Sequence, residues 1–330
     1  MPQRLGRDNC FGSISRTATL VTLGLVLAAV ATIWWIARTP DLRQIDTSVT
    51  IQDAVVPALP LNKNKPLRVV IAAMISPERT ANTYSQVMQL IGERLGRPVE
   101  ISQRKTYAEA NAMLKNHKVD LAMVCSGAYV EGKDTFGMEL LVAPVVHGKK
   151  IYYSYIIVPK GSPAKRLDDL RGKRFAFTDP KSNTGFLVPS YMLAQQQKSP
   201  ENFFSDSFFT YSHDNSIHAV AEGLADGAAV DSLVWDYLDA TGSPDTRRTS
   251  IIEKSPPYGI PPIVVHPELD GQLKRTLRSA FSTLHTDPKA KELLRNLQID
   301  RFEATDDSMY ATVRQMARWL MNNPVGKATP

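Results

Sequence analysis

Cysteine is nearly absent, with two residues in 330, Cys10 and Cys125. A single pair makes no disulfide framework. The two also flank an uncharged run from Ala18 to Ala37, so if that run spans a membrane the thiols never meet. Catalytic signatures are equally scarce. There is no G-x-S-x-G elbow, no H-E-x-x-H zinc helix and no G-x-x-x-x-G-K-[ST] phosphate loop. Ser212-His213-Asp214 has the residue types of a hydrolytic triad, but immediate neighbours do not form that relay with one another. His213 and His218 are five apart rather than four, the wrong spacing for a zinc-binding helix face. Nothing near Cys125 in sequence activates it as a nucleophile. The expectation is a protein that is not an enzyme and needs neither metal nor cofactor.

Concentrated charge is missing too. The formal net charge is +6, which raises the question of nucleic acid. Yet the densest basic runs, Lys149-Lys150, Arg171 to Arg174 and Arg247-Arg248, have no aromatic platform and no nucleic-acid module beside them. Apolar residues at 43% and charged residues at 22% are ordinary for a globular chain and exclude extended disorder. No internal repeat or low-complexity tract is present, and the length suggests about two folded units.

The uncharged run ATLVTLGLVLAAVATIWWIA at 18–37 has the length a helix needs to cross a bilayer, about 20 residues. Arg4, Arg7 and Arg16 precede it, which places the N-terminus in the cytoplasm, and Trp34-Trp35 suit the outer interface. A cleaved signal peptide is the rival, with Ala29-Val30-Ala31 as a small-x-small site. Cleavage there would leave Ile33 to Ile36 as an apolar new terminus, so an uncleaved anchor is favoured. The expected organisation is a cytoplasmic stretch at 1–17, an anchor at 18–37 and a proline-bearing linker at 38–66, with everything beyond the anchor outside the cytoplasm.

From Leu67 the pattern alternates. Apolar runs at 67–73, 99–101 and 119–124 read as strands, and helical spacing covers 83–95 and 107–116. Strand–helix–strand alternation predicts a parallel α/β sheet with right-handed crossovers. A second set follows, with strands at 152–158, 174–177 and 227–232, helices at 167–170, 185–193 and 217–224, and a return strand at 263–265. The chain beyond Leu269 reads as mainly helical. In open α/β sheets ligands sit beyond the carboxyl ends of the strands. Three such ends carry distinctive chemistry: Cys125-Ser126-Gly127, Asp179 to Gly185, and Val230-Asp231-Ser232.

The second of these, Asp179-Pro180-Lys181-Ser182-Asn183-Thr184-Gly185, joins a strand to a helix. Ser, Asn and Thr cap helices, and a helix start offers unpaired N–H groups to an anion without Lys or Arg. On spacing alone, two ordinary capped helices explain this loop and Ser126-Gly127 equally well.

The residues from Leu67 to about Pro262 resemble the phosphate/phosphite/phosphonate-binding proteins of ABC importers. The resemblance is carried by Asp179 to Pro189, which follows the family's DP-x-S-[TS]-[ST]-G-x-L-x-P stretch. Tyr107, Lys118 to Ala122, Tyr152-Tyr153-Ser154, Ser212-His213 and Ser255-Pro256 to Pro262 support it in order. It implies a two-lobe periplasmic-binding-protein fold of type II, with lobe 1 at 67–157 and 252–330 and lobe 2 at 158–251. It implies that Ser182, Asn183 and Thr184 hold phosphoryl oxygens, with Tyr107, Tyr152 and His213 around them; Ser126 and Asp231, at the other two strand ends, complete the expected site. The implied partners are a small phosphorus oxyanion and an ABC permease. A sensor domain for a membrane kinase is the alternative, and an enzyme on the same fold a weaker one. Two departures matter. Asn183 stands where the family has a hydroxyl residue, and no second carboxylate accompanies Asp231, which argues against an aminophosphonate. Phosphate, phosphite or a small alkylphosphonate is expected, and Asp231 would favour an oxyanion that keeps a proton.

Overall fold

The structure, a computed structural model, describes residues 65–76 and 84–324, all within one compact unit at 58–330. The expected anchor at 18–37, and with it the cytoplasmic stretch and nearly all of the linker, lies outside the described residues. Among the described residues no helix is long and apolar enough to cross a membrane.

The chain opens with β1 (Leu67–Ala72), α1 (Tyr84–Leu95), β2 (Val99–Arg104), α2 (Tyr107–Lys115), β3 (Leu121–Met123), α3 (Ser126–Phe136) and β4 (Glu139–Val145). Buried Val87, Met88, Ile91 and Leu95 make one face of α1. Thr106 and Glu109 close a capping box at the start of α2, and Gly137 ends α3 at φ +78°. The chain then crosses over through β5 (Ile151–Tyr152) into β6 (Ser154–Pro159) and β7 (Arg174–Phe177). A π-helical turn at Asn183–Leu187 follows and runs straight into α4 (Val188–Ala194). Next come β8 (Asp206–Phe209), α5 (His213–Ala221), β9 (Gly227–Asp231), α6 (Ser232–Ala240) and β10 (Thr249–Lys254). The return passes through β11 (Tyr258–Gly259) to β12 (Ile263–Val265), α7 (Gly271–Ser282), α8 (Pro288–Asn296), β13 (Arg301–Glu303) and α9 (Ala311–Asn322).

These strands form two main sheets and a two-stranded one, β11-β5, between the crossings. The first has six strands in the order β13-β4-β12-β3-β1-β2, and the second five in the order β10-β6-β9-β7-β8. The predicted parallel core is present, since β1 pairs in parallel with β2 and β3. Returning β12 runs antiparallel to β3 and β4. In the second sheet β7 is parallel to β8 and β9, while β6 runs antiparallel to β9 and β10. Strand alternation sorts its apolar residues to two faces: Tyr155, Ile157 and Ala176 pack with Ile217 and Val230 on one side. Ile156, Val158, Phe175 and Phe177 pack with Leu193 and Phe203 on the other.

β6 and β10 both belong to the second sheet, so boundaries at 157/158 and 251/252 would cut through them. The sheets divide instead at Tyr153–Ser154 and at Lys254–Ser255. There the two crossings are tied together, Ser255 N–H donating to the Ser154 carbonyl (3.0 Å) and Ser154 N–H to Ser255 Oγ (2.9 Å). The expected single strand at 152–158 is broken at Tyr153 for this reason: β5 pairs with β11, and β6 with β9 and β10. The three residues of β13 interrupt the region expected to be mainly helical, being too few to show a period of two.

Candidate functional site

The Asp179–Ser182 loop of the second lobe sits on two helix starts of the first. Asp179 Oδ2 accepts the Tyr107 N–H (3.1 Å) at the start of α2, while its Oδ1 accepts the Lys181 N–H (2.7 Å). A carboxylate is favoured at a helix N-terminus by the unpaired amides there. Burial raises the Asp179 carboxyl, and the amides of Lys181 and Tyr107 pull it back. The Cys125 thiol donates to the Lys181 carbonyl (3.6 Å), and at the rim the Lys181 ammonium pairs with Glu131 (2.6 Å). A Cβ on Gly127 would lie 2.5 Å from the Lys181 carbonyl oxygen, so this approach of the lobes requires glycine.

Behind that contact the turn is built by Ser182, whose Oγ accepts the Gly185 N–H (3.0 Å) and caps the π-helical segment. Such segments concentrate at functional sites because they widen the turn and free backbone groups. Gly185 is also obligatory, since a Cβ there would lie 2.5 Å from Thr178 Cβ. Asn183 donates through Nδ2 to Tyr152 Oη (3.1 Å), across the lobe boundary. Tyr107, Tyr152, Ser182, Asn183 and Thr184 are all buried. Two of their polar atoms, Tyr107 Oη and Asn183 Oδ1, have no hydrogen-bond partner among the described residues. Burial holds both phenols well above their usual range, with Cys125 and Asp231 as charged-form neighbours of each, so they remain neutral donors.

His213 opens α5. Its N–H donates to the Met74 carbonyl (3.0 Å), and its Nδ1 accepts the Asp231 N–H (3.0 Å) with the Thr178 hydroxyl also at 3.0 Å. A ring whose Nδ1 lone pair accepts an amide carries its proton on Nε2. Burial pushes this imidazole down to about 3, so it is neutral at physiological pH. Asp231 caps α6 by accepting the Leu233 N–H (2.8 Å), and burial, with Asp236 adding to it, pushes its carboxyl up to about 7.

The structure therefore gathers the residues expected from the sequence at one place between the lobes, with unequal freedom. The Ser126 hydroxyl is already committed to the Gly259 carbonyl (2.6 Å), so it has no hydrogen to spare for an anion. Cys125, pushed up to about 12 by burial, stays a thiol at neutral pH. Thr178, which positions His213, carried no sequence signal beyond its place at a strand end. Among the described residues the one buried Lys or Arg side chain is Arg97, which bonds to the Lys65 and Pro66 carbonyls at the far end of β1. The site itself is made of uncharged donors and two carboxyls, Asp179, held by the Tyr107 and Lys181 amides, and Asp231, which caps α6.

Two α/β lobes joined by two crossings, with polar groups converging at their facing strand ends, define a periplasmic solute-binding protein. Residues 69–310 match the family described as "ABC transporter, phosphonate, periplasmic substrate-binding protein", and the chain belongs to it. It is similar to the phosphonates-binding periplasmic protein of Escherichia coli, at 27% identity over 79% of this chain and 78% of that one. Among solved structures, it is similar to a binding-protein component of an ABC phosphonate transporter from Pseudomonas aeruginosa. That match has a TM-score of 0.74 and 25% identity, over 78% of this chain and 88% of that one. The fold is shared as well with a Prochlorococcus marinus protein solved with methylphosphonate, at TM-score 0.70 and 20% identity over 78% of this chain and 98% of that one. The protein is thus an extracytoplasmic substrate-binding protein of the ABC-transporter phosphonate class.

Asp231 gives this site a pH signature in stability. Its carboxyl lies near 3.9 in an unfolded chain and is pushed up to about 7 in the fold. The charged form is the one that burial penalises, so the cost is absent below pH ~4, grows from there to about 7, and is complete above. Asp231→Asn keeps the cap acceptor and should stabilise the protein at pH 8 by the order of 2–4 kcal/mol, at about 1.4 kcal/mol per unit, but not at pH 4. Chemical denaturation at the two pH values checks it, and equal effects at both contradict it.

Proposed function

We propose that this protein captures a small phosphorus oxyanion (phosphate, phosphite or an alkylphosphonate) between its lobes and presents it to an ABC permease. The supporting observation is the pair of unpartnered buried atoms, Tyr107 Oη and Asn183 Oδ1, at the lobe boundary. Leaving such a group unpaired costs about 1–3 kcal/mol, which a ligand oxygen or hydroxyl would remove. In this reading Tyr107 and Tyr152 donate phenol hydrogens, Ser182 and Thr184 their hydroxyls, and His213 its Nε2–H. The Asn183 carboxamide donates through one end and accepts a P–OH through the other. Ser126 acts through Tyr152, which it borders, rather than on the ligand.

With no cation in the seat, selectivity comes from Asp231. Neutral, it can donate to a phosphoryl oxygen; charged, it accepts only from an oxyanion that retains a proton, and it repels sulfate. Ligand contacts to both lobes favour the closed arrangement, and a permease can recognise that arrangement.

We also infer that the uncharged run at 18–37 tethers this domain to the outer face of the cytoplasmic membrane, with the linker at 38–66 as spacer. The full chain should stay with membranes after a carbonate wash, and release into the soluble fraction would remove the anchor from the reading.

Calorimetry of the full chain against phosphate, phosphite, methylphosphonate and sulfate tests the ligand. The phosphorus oxyanions should bind, and sulfate at least tenfold more weakly. Affinity should fall from pH 6 to pH 8, and fall less in Asp231→Asn. The other groups facing Asp231 are Asp236, the high-lying phenols of Tyr84, Tyr107, Tyr152 and Tyr155, and neutral His213. Comparing the variant with the parent cancels the ligand's own ionisation. Binding of none of the phosphorus compounds overturns the reading.

A further inference from the structure

The candidate seat holds no Lys or Arg, so a charge that draws an anion towards it from solution has to lie elsewhere. Lys291 and Arg295, one turn apart on α8, line a cavity of about 350 Å³ together with His147 and His285. Among the described residues neither Lys291 nor Arg295 has an ion pair or a side-chain hydrogen bond. Asp300 is the single acid of the lining, and its Oδ2 is engaged by the Gly148 N–H (2.7 Å). His285 Nδ1 is buried and has no hydrogen-bond partner among the described residues.

This cavity adjoins the cleft. Gln298 and Ile299 line both, and the cleft there also takes Leu233 and Val234 from the second lobe and Asp231 from the candidate site. Burial raises the Asp236 carboxyl on α6, while Tyr155, Lys254 and His147 pull it back, which puts His147 at the rim facing the second lobe. Two lining residues also hold backbone conformations usually left to glycine or asparagine. His147, with Gly148, makes the two-residue turn between Val146 and Lys149 at φ +49°, and Gln298 follows the end of α8 at φ +57°. Neither turn calls for a large polar residue, yet each places one on the cavity.

An oxyanion there meets two cations with imidazole and carboxamide groups beside them. At roughly 10–15 Å³ per water, about 350 Å³ takes the ion with part of its hydration shell, so it is held weakly and released quickly. Cations attract by charge and not by retained protons. Such a cavity gathers oxyanions, and the choice among them is left to the seat.

We propose that the cavity of His147, His285, Lys291 and Arg295 is a second oxyanion site, which gathers a small free oxyanion at the rim and passes it to the cleft. For the ion's destination the proposal rests on the reading of the seat as an oxyanion site. Basic groups beside a low-dielectric cleft raise association rates by about 10–10³-fold, and salt removes the gain. The cavity is no part of the final complex, so removing its charge slows entry and exit together and leaves the equilibrium affinity in place.

The test is stopped-flow tryptophan fluorescence of the full chain with inorganic phosphate and with phosphite. It compares the parent, Lys291→Gln/Arg295→Gln, and the control Lys165→Gln/Arg166→Gln, which removes the same charge from an exposed turn of the second lobe. At low salt both rates should fall at least fivefold in the first variant, with affinity held within twofold and a flatter dependence on ionic strength. The control should keep the parent's rates. Unchanged rates in the first variant, an equal fall in the control, or affinity lost through faster dissociation alone each overturns the proposal. Occupancy is read separately by proton NMR of the His285 ring, assigned with His285→Gln. Phosphate and sulfate should both shift it in the parent and not in Lys291→Gln/Arg295→Gln, and a silent ring in the parent overturns the site. If no phosphorus compound reaches the seat while the ring still shifts, the seat reading fails and the second site stands.

Discussion

The bond from Tyr107 N–H to the Asp179 carboxylate joins residues 72 positions apart and belongs to both lobes at once. Asp179 answers the unpaired amide at the start of α2, and in doing so draws the whole Asp179–Ser182 loop onto the first lobe. The Cys125–Lys181 contact and the glycine approach at Gly127 are then possible, and Asn183 comes within reach of Tyr152. A hydrogen bond to a charged group contributes about 1.5–3 kcal/mol, enough to bias two lobes linked by narrow crossings without locking them. In the proposed function, ligand and loop favour the same closed arrangement.

Electrostatically the site is built on neutrality. Burial keeps the phenols protonated, the imidazole uncharged and the Asp231 carboxyl poised near neutral pH. In the proposed function, helix starts and hydroxyl dipoles carry the anion, as they can wherever amides are left unpaired. A basic residue would hold any anion more tightly and discriminate less. In the proposed function the Asp231 carboxyl, set among neutral donors, would distinguish oxyanions by the protons they retain.

Much of this architecture could be read from the chain. The β7–turn–α4 unit is announced by Arg174–Phe177 running into Asp179-Pro180-Lys181-Ser182, because the apolar strand, the capping residues and Gly185 are contiguous. The parallel β1–β3 core follows from its alternation with two helices. What depends on distant pairing was not legible. Tyr152 and Ser154 look like one strand until β11 and β9 claim them separately, which moves the lobe boundary. The sequence does not show that His213 Nδ1 is spent on the Asp231 amide, leaving only Nε2–H to face a ligand, and Ser126 reads as a donor whose hydrogen Gly259 has already taken. The basic cavity is drawn from two well-separated stretches of chain, at His147 and from His285 to Asp300, and neither reads as an anion site by itself.

Tyr107 Oη is buried without a hydrogen-bond partner among the described residues, and in the proposed function the ligand supplies that partner. Titrating methylphosphonate into Tyr107→Phe measures this directly, with thermal unfolding of the ligand-free variant alongside. Affinity should fall at least tenfold, while the ligand-free unfolding midpoint stays the same or rises, since an unsatisfied buried hydroxyl is removed. Unchanged affinity, or a fall matched by destabilisation of the free protein, would contradict the account.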